Sequence, residues 1–298
     1  MGKYLGILLT GRIAIGVIED QSPCSSVYHF PENPEETSSL LDMPLEGLIS
    51  LVCEHAAQAI GQCGPIDAIG VALPGIVHNG VVEDSPNLAQ LKGARVGERI
   101  QESFRKSGIS APVMVLNDAD AIAAGIAAKQ DRLSHFIRIW SLGNGIGFGR
   151  YPYAEGIWEG GHTVVTLDPG ETHCGCGGRG HLEGIMGHRS MRLRFLDMEP
   201  EEIFANAKAG DERCNKFVRL WHRSLAAATA TSIHMEGPGR FYYTGFNAGF
   251  LDMKLLQHYL QQMVKMSPLQ SYTLEVVPMS DDLAVTGAAI AASQMAGE

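Results

Sequence analysis

The sequence predicts an α/β protein built as two lobes with a cleft between them. Short apolar runs rich in β-branched residues alternate with segments whose apolar residues recur at helical spacing. This alternation occurs twice along the chain, and no low-complexity linker separates the two parts. The 298 residues are 45% hydrophobic, which is enough for one large core or two modest ones.

The first part opens with two apolar runs joined by a tight turn, which predict a β-hairpin over 4–20. A third strand over 25–30 and a polar, proline-containing loop over 31–39 follow. Further along, the periodicities predict a helix over 45–61, a buried strand over 66–75, a helix over 96–106, a buried strand over 113–116 and an alanine-rich helix over 119–129.

The second part repeats this alternation. A strand over 136–142 runs into the glycine-rich segment GNGIGFG, residues 143–149. The later elements are a helix over 198–209, a long helix over 215–235, a strand over 241–243, a strand over 271–277 and a terminal helix over 282–294. We place 1–118 and 283–298 in a smaller lobe, and 119–282 in a larger lobe that carries a metal site.

Composition limits the partners of the protein. The formal net charge is −10 and there is no basic run, so we expect neither nucleic acid nor an anionic membrane as a partner. The first predicted strand starts at Tyr4 and leaves no room before it for a helix-turn-helix. No apolar run approaches the roughly 20 residues of a membrane span, and no charged-then-apolar leader follows Met1.

Six cysteines are too few for a disulfide scaffold in a chain of this length. Four of them lie among ordinary neighbours and are interpreted as small buried hydrophobic residues, namely Cys24, Cys53, Cys63 and Cys214. We therefore expect a reducing compartment and a cytoplasmic protein.

The segment 158–183 concentrates metal-ligand residue types among glycines. Cys174 and Cys176 form a C-x-C pair, His181 lies five residues further on, and His162 lies upstream. Zinc favours four nitrogen and sulfur ligands in a tetrahedron, and these four residues would supply them. His173 competes with His181 for one position, and the alternative is a flexible loop with incidental thiols.

Polar residues follow three predicted strands, where α/β proteins bind their ligands. The segments are Pro74–Gly75, Asn117–Asp118 and Gly143–Gly147. Asp118 suits a general base held at a strand end, but Asn117 or Asp118 could equally cap the following helix. The glycines could receive phosphate on backbone N–H groups or merely turn a corner.

Together these segments resemble the repressor–ORF–kinase (ROK) family of sugar kinases over nearly the whole chain. In chain order the similar segments are IGVALPGIVHNGVVEDSPNL (69–88), VLNDADAIAAG (115–125), SLGNGIGFG (141–149), EGGH (159–162), CGCGGRGHLE (174–183), TGFN (244–247) and TGAAIAA (286–292). The corresponding family patterns include E-N-D-A-N-A-A-A, L-G-T-G-I-G-G-G, E-x-G-H and C-x-C-G-x-x-G-C-L-E.

The resemblance implies an actin-like ATPase (ribonuclease H-like) fold with two lobes and a central cleft, and it implies phosphorylation of a hexose or related sugar by Mg-ATP. Asp118 would take the proton of the attacking sugar hydroxyl. The implied sugar contacts are Gly75, Asn117, Glu159, His162 and Glu183, although Glu159 and Glu183 taken singly are typical of solvated surface carboxylates. The implied nucleotide contacts are Gly11, Arg12, Gly143, Asn144, Gly145 and Gly245. Zinc would be structural, and relatives pair as homodimers.

The chain departs from the family pattern where Mg-ATP is handled. The family opens with D-x-G-G-T, whereas this chain has Leu8, Leu9, Thr10, Gly11 and Arg12. Leucine cannot hold a metal-bound water, although Arg12 could place a fixed charge on phosphate or lie on the surface. Three hypotheses follow: a sugar kinase with altered phosphate handling, a degenerate sugar-binding relative without efficient ATP use, and a zinc-stabilised interaction protein.

Overall fold

The structure is a computed structural model that describes residues 2–33, 38–85, 87–154, 156 and 158–296. Its strands are β1 (Lys3–Leu9), β2 (Ile13–Glu19), β3 (Ser22–Pro23), β4 (Tyr28–Phe30), β5 (Ala68–Leu73), β6 (Ile76–His78), β7 (Val81–Asp84), β8 (Val113–Asn117), β9 (Ile137–Leu142), β10 (Ile146–Tyr151), β11 (Arg240–Thr244) and β12 (Thr273–Val276). Its α-helices are α1 (Ser38–Leu41), α2 (Leu45–Cys63), α3 (Val96–Lys106), α4 (Asp118–Lys129), α5 (Leu182–Met186), α6 (His188–Arg194), α7 (Pro200–Lys208), α8 (Glu212–Glu236), α9 (Met253–Met263) and α10 (Asp281–Ala296).

The chain divides into two compact units. Unit 1 comprises Met1–Phe136, Gly149–Ile157 and Ser280–Glu298, and unit 2 comprises Ile137–Phe148 and Trp158–Met279. The domain boundary expected from the sequence fell before α4, whereas α4 packs within unit 1, where α10 lies against it. The assignment of 1–118 with 283–298 and of 119–282 to separate functional lobes stays a prediction.

Unit 1 is built on a sheet with the strand order β3-β2-β1-β5-β8, to which β4 adds by pairing with β2. The hairpin β1–β2 is antiparallel, while β1, β5 and β8 run parallel. Parallel strands end at the same edge of a sheet, so the polar residues after β5 and β8 come out side by side.

Unit 2 contains a sheet with the order β10-β9-β11-β12, in which β9, β11 and β12 are parallel. The long helix α8 contributes a buried apolar face to its core, including Trp221 and Leu225. Arg138 is fully buried on β9, where it donates to the Gly237 carbonyl at 2.7 Å and stacks on Phe241. The guanidinium also lies 3.5 Å from a Glu236 carboxylate oxygen, so the strands β9 and β11 meet the end of α8 around a buried, ion-paired charge.

Most of the predicted elements are confirmed, with ends displaced by a few residues. The predicted loop over 31–39 lies partly outside the described residues, and helix α1 begins within it at Ser38. The glycine-rich segment 143–149 is a tight turn only as far as Gly145, because β10 begins at Ile146. The hairpin β6–β7, the short helices α5 and α6, and α9 were not predicted from the sequence. Among the described residues, no helix combines the length and the apolar character needed to cross a membrane.

The terminal helix α10 lies directly on the parallel strands of unit 1, and small residues allow this approach. Gly70 on β5 faces the carbonyl of Ala288, and a Cβ atom placed on Gly70 would overlap that oxygen. Backbone-to-backbone packing of this kind leaves no flexible side chain that could yield. The alanines of α10 are therefore explained by the sheet beneath them, whereas its glycine, Gly287, lies against the Ala121 carbonyl of α4.

We predict that Gly70→Ala destabilises the protein by about 1–3 kcal/mol, because the added methyl group forces α10 away from the sheet. Urea denaturation would measure the loss. Gly61→Ala is the matched control, since Gly61 lies in α2 with open space around it, and alanine should stabilise a helix there by up to about 1 kcal/mol. Equal stability of Gly70→Ala and the wild type would contradict this packing.

Candidate functional site

In unit 1 the ends of β5 and β8 are joined by a side chain. Asn117 donates from Nδ2 to the Gly75 carbonyl at 2.8 Å, and Ser85 donates to the Pro74 carbonyl at 2.8 Å. Gly75 has a φ of +114°, and a Cβ there would overlap the Asp84 carbonyl, so only glycine fits this turn. The structure thus brings Gly75, Asn117 and Asp118 together.

Asp118 begins helix α4 while Asn117 caps it. The Asn117 side chain accepts from the Ala119 N–H at 2.8 Å, and an Asp118 oxygen lies 2.9 Å from the same nitrogen. Asn117 therefore supplies the helix cap, and the Asp118 carboxylate is not needed solely as a cap. Burial raises the pKa of Asp118 to about 6, although the Ala119 N–H favours the charged form. A half-buried carboxyl with this pKa changes its charge just below neutral pH and is suited to proton transfer.

The neighbouring carboxyl of Asp120 is structural. It is buried and accepts from the main-chain N–H of Arg150 at 2.8 Å, which ties α4 to the end of β10 within unit 1. Burial raises the pKa of Asp120 to about 7, while the hydrogen bond from Arg150 acts in the opposite direction.

The turn between β1 and β2 carries Gly11 and Arg12, the first two expected nucleotide contacts. The Arg12 guanidinium donates to the carbonyls of Pro31 and Glu32 at 2.9 and 2.8 Å, and it lies 3.6 Å from an Asp281 carboxylate oxygen. These contacts direct the charge of Arg12 toward the loop after β4 and the start of α10.

Two leucines occupy positions where the family pattern has acids. Leu8 at the end of β1 is 5% exposed and Leu116 near the end of β8 is 1% exposed. Both belong to one apolar cluster that also contains Ala72 and Val285. Carboxylates would be strongly disfavoured in this cluster without a cation, so the two replacements are physically consistent with each other.

In unit 2, four ligand-type side chains converge. The nearest ligand atoms of His162, Cys174, Cys176 and His181 all lie within 4.8 Å of one another. The two sulfurs are 3.3 Å apart, and the Cys176 sulfur is 3.2 Å from Nδ1 of His181. We call these four residues the metal cluster.

Local backbone pairing assembles the metal cluster. The main chain at Val164 bridges that at His181, and the Leu182 N–H donates to the Thr163 carbonyl at 2.9 Å. The two histidines therefore lie on adjacent antiparallel segments, with ring centroids 5.2 Å apart. The C-x-C loop closes the cluster from the other side, and the Gly178 N–H donates to the Cys176 sulfur at 3.3 Å.

The donor set fits zinc. Two thiols and two imidazoles at these separations match a tetrahedral Cys₂His₂ site. Burial, followed by the nearby His162, lowers the pKa of His181 and so favours the neutral imidazole that binds a metal. His173 is not part of the cluster, because its ring nitrogen lies 3.3 Å from the Arg194 guanidinium.

Glu183 lies between the metal cluster and the glycine turn. Its Oε2 accepts from the Ile146 N–H at 3.0 Å. Its Oε1 lies 3.8 Å from the Cys174 sulfur and 4.0 Å from Nε2 of His162. Glu183 is half-buried and is thus not a solvated surface carboxylate. Glu159 is exposed, and its Oε2 lies 3.8 Å from Nδ1 of His162.

The turn formed by Gly143, Asn144 and Gly145 connects β9 to β10. The Gly143 carbonyl accepts from the Asn247 side chain at 3.1 Å and from the His188 N–H at 3.0 Å. Gly245 follows β11 and lies beside the Leu142 carbonyl. The four nucleotide contacts expected in this unit, the three turn residues and Gly245, therefore lie in one region of unit 2. His188 was not singled out from the sequence because it lies in none of the motifs, and Asn247 was noted only as the last residue of the TGFN segment.

Comparison with solved structures identifies the fold. The chain superposes on the ROK hexokinase from Thermus thermophilus with a TM-score of 0.79 at 23% identity, covering 99% of this chain and 100% of the other. A ROK family glucokinase from Streptomyces griseus, solved with glucose and AMPPNP, gives a TM-score of 0.69 at 21% identity, with 98% and 100% coverage. The predicted α/β fold of the actin-like ATPase type is confirmed.

Sequence comparison identifies the family. A glucokinase from Pyrobaculum calidifontis is 28% identical over 80% of this chain and 77% of its own length. An N-acetylmannosamine kinase from Haemophilus influenzae is 26% identical over 80% and 83%. The ROK family model matches residues 10–295. The chain therefore belongs to the ROK family, as its motifs indicated.

Proposed function

We propose that this protein phosphorylates a hexose or related sugar at the expense of ATP. The observation that carries the proposal is Asp118, a half-buried carboxyl at the end of β8 whose pKa lies near 6 and whose position matches the base of the family motif. Membership of the family and the names of its relatives, glucokinase and N-acetylmannosamine kinase, support the same reaction class.

In the proposed reaction Asp118 accepts the proton of a sugar hydroxyl. The hydroxyl oxygen then bonds to the γ-phosphorus of ATP while the bond to the ADP oxygen breaks. Asn117, which is fixed to the Gly75 carbonyl, would hold a second hydroxyl beside the base. The protein's contribution is mainly positioning, since phosphoryl transfer needs no covalent enzyme intermediate.

Glu159, His162 and Glu183 are the proposed sugar contacts contributed by unit 2. Each offers a carboxylate or imidazole atom that can bond hydroxyl groups. The His162 ring lies 3.8 Å from a Glu159 oxygen and 4.0 Å from a Glu183 oxygen, distances that suit contacts with neighbouring hydroxyls. On the nucleotide side, the glycine turn and Gly245 remain the proposed contacts. The contacts of Arg12 with Pro31, Glu32 and Asp281 make it a poorer candidate than the sequence suggested.

Zinc in the metal cluster would be structural. Held by His162, Cys174, Cys176 and His181, it would supply a fixed positive charge and lock the segment that presents His162 and Glu183. Neither sulfur is proposed to react. The expected cytoplasmic location and homodimer stay predictions.

We predict about one zinc ion per chain, bound through His181 rather than His173. His181→Ala should weaken zinc affinity by more than the roughly 10- to 100-fold that loss of an outer-shell partner costs. His173→Ala is the matched control and should retain the metal, because its ring contacts Arg194. Metal analysis after dialysis, with competition by a chelator, measures both. Retention of zinc by His181→Ala and its loss from His173→Ala would reverse the ligand assignment.

A second candidate function is sugar binding without efficient use of ATP. Leu8 and Leu116 favour it, because both positions lack the carboxylate of the family pattern and both are buried in one apolar cluster. Loss of a carboxylate that organises Mg²⁺ removes electrostatic stabilisation worth several kcal/mol in the transition state. Calorimetry separates the candidates: the second predicts heat with a hexose and none with Mg-ATP.

We predict that Asp118→Asn lowers kcat for sugar phosphorylation by about 100-fold or more while sugar affinity changes little. The wild-type rate should also fall about tenfold per pH unit below the Asp118 pKa of about 6, because the base must be ionised. Above that pKa the rate should level off. A coupled assay for ADP across pH 5 to 8, in about half-unit steps, tests both expectations.

Asp131→Asn is the control for the charge removed, since Asp131 is exposed just beyond α4. It should leave the rate and its pH dependence unchanged. Wild-type turnover in Asp118→Asn would rule out Asp118 as the base, whatever the sugar.

A further inference from the structure

The carbonyl of Gly143 is held by two donors from two different elements. The N–H of His188, at the start of α6, donates to it at 3.0 Å, and Nδ2 of Asn247 donates to it at 3.1 Å. The Gly143 N–H in turn donates to the Gly145 carbonyl at 3.0 Å. The two peptide units that flank the Gly143 Cα atom therefore have fixed orientations, which a glycine backbone alone would not provide.

The hydrogen bonds of the Asn247 amide determine that Nδ1 of His188 carries a hydrogen. A carbonyl oxygen can only accept, so the NH₂ group of Asn247 must face Gly143 and its Oδ1 must face His188. The distance from Oδ1 to Nδ1 of His188 is 3.1 Å. Since Oδ1 accepts, Nδ1 of His188 must carry a hydrogen. Asn247 is 0% exposed, so an unmatched amide there would be costly.

The imidazole of His188 is also confined on its other side. Its ring meets Phe246 edge-on, with centroids 5.2 Å apart and planes at 70°. Phe246 in turn lies beside Gly143, where an added Cβ would be 3.5 Å from the phenyl ring. His188 thus contacts the glycine turn by its main chain, through Asn247 and through Phe246, while it remains half-buried.

We propose that His188 is a positioning residue for the phosphoryl donor: through Asn247 it fixes the glycine turn that receives the phosphates. The inference rests on the proposed function. Position 8 offers no carboxylate to organise Mg²⁺, so the backbone of this turn carries a larger share of phosphate positioning. A turn that must bind without such help gains most from being held in one conformation before binding.

The test compares His188→Ala with His188→Asn. Alanine removes the donor at Nδ1, whereas the asparagine amide places an N–H donor near the same position. We expect KM for ATP to rise about five- to tenfold in His188→Ala, as for one lost hydrogen bond, and KM for the sugar to stay within about twofold. His188→Asn should restore KM for ATP to within about twofold of the wild type.

His258→Ala is the matched control, because His258 is an exposed histidine on α9 whose Nε2 lies 3.0 Å from the Gln262 side chain of the same helix. It should leave both KM values unchanged. The inference is overturned if KM for ATP in His188→Ala equals that of the wild type, if both KM values rise together, or if His188→Asn behaves like His188→Ala.

Amide hydrogen exchange gives a reading that does not depend on catalysis. His188→Ala should accelerate exchange at Asn144 and Gly145 relative to the wild type and to His188→Asn. If the wild type neither binds Mg-ATP nor phosphorylates any hexose, the proposed function fails. Unchanged exchange in His188→Ala overturns the positioning role separately, since the turn is then not held by His188.

Discussion

The carboxylate of Glu183 is the contact on which the rest of the proposed site in unit 2 depends. One oxygen accepts from the Ile146 N–H, immediately after the glycine turn, and the other lies near Cys174 and His162 of the metal cluster. A half-buried carboxylate with partners on both sides has few orientations available to it. The segment that carries His162, which would hold a sugar, and the glycine turn, which would hold phosphate, both contact the Glu183 carboxylate and are thereby fixed relative to each other.

The two ends of the glycine turn are held by different parts of unit 2. Glu183 anchors Ile146, and the pair His188 and Asn247 anchors Gly143. By contrast, unit 1 has an apolar cluster at Leu8 and Leu116, and Arg12 is occupied by main-chain carbonyls. In unit 2 the glycine turn is thus held at both ends by side-chain and main-chain contacts, whereas unit 1 has no carboxylate at Leu8 or Leu116.

Residue type and spacing predicted much of this arrangement. The C-x-C pair with two flanking histidines identified the metal cluster, and the strand ends at Gly75 and Asn117 proved to be adjacent because parallel strands finish at one edge. Spacing could not choose between His173 and His181, since that choice depends on Arg194, which lies far along the sequence and takes up His173. The roles of His188 and Asn247 could not be predicted from the sequence either, because they arise from a contact between residues 59 positions apart.

The most direct test is calorimetric titration of a hexose panel into the zinc-loaded wild-type protein and into the same protein after chelation. Because zinc in the metal cluster would hold the segment that carries His162 and Glu183, we expect at least one hexose to bind the loaded protein. Its affinity should fall by about tenfold or more, roughly 1.4 kcal/mol, when the metal is removed. Equal affinity with and without metal, or binding of no hexose to the loaded protein, would contradict the account.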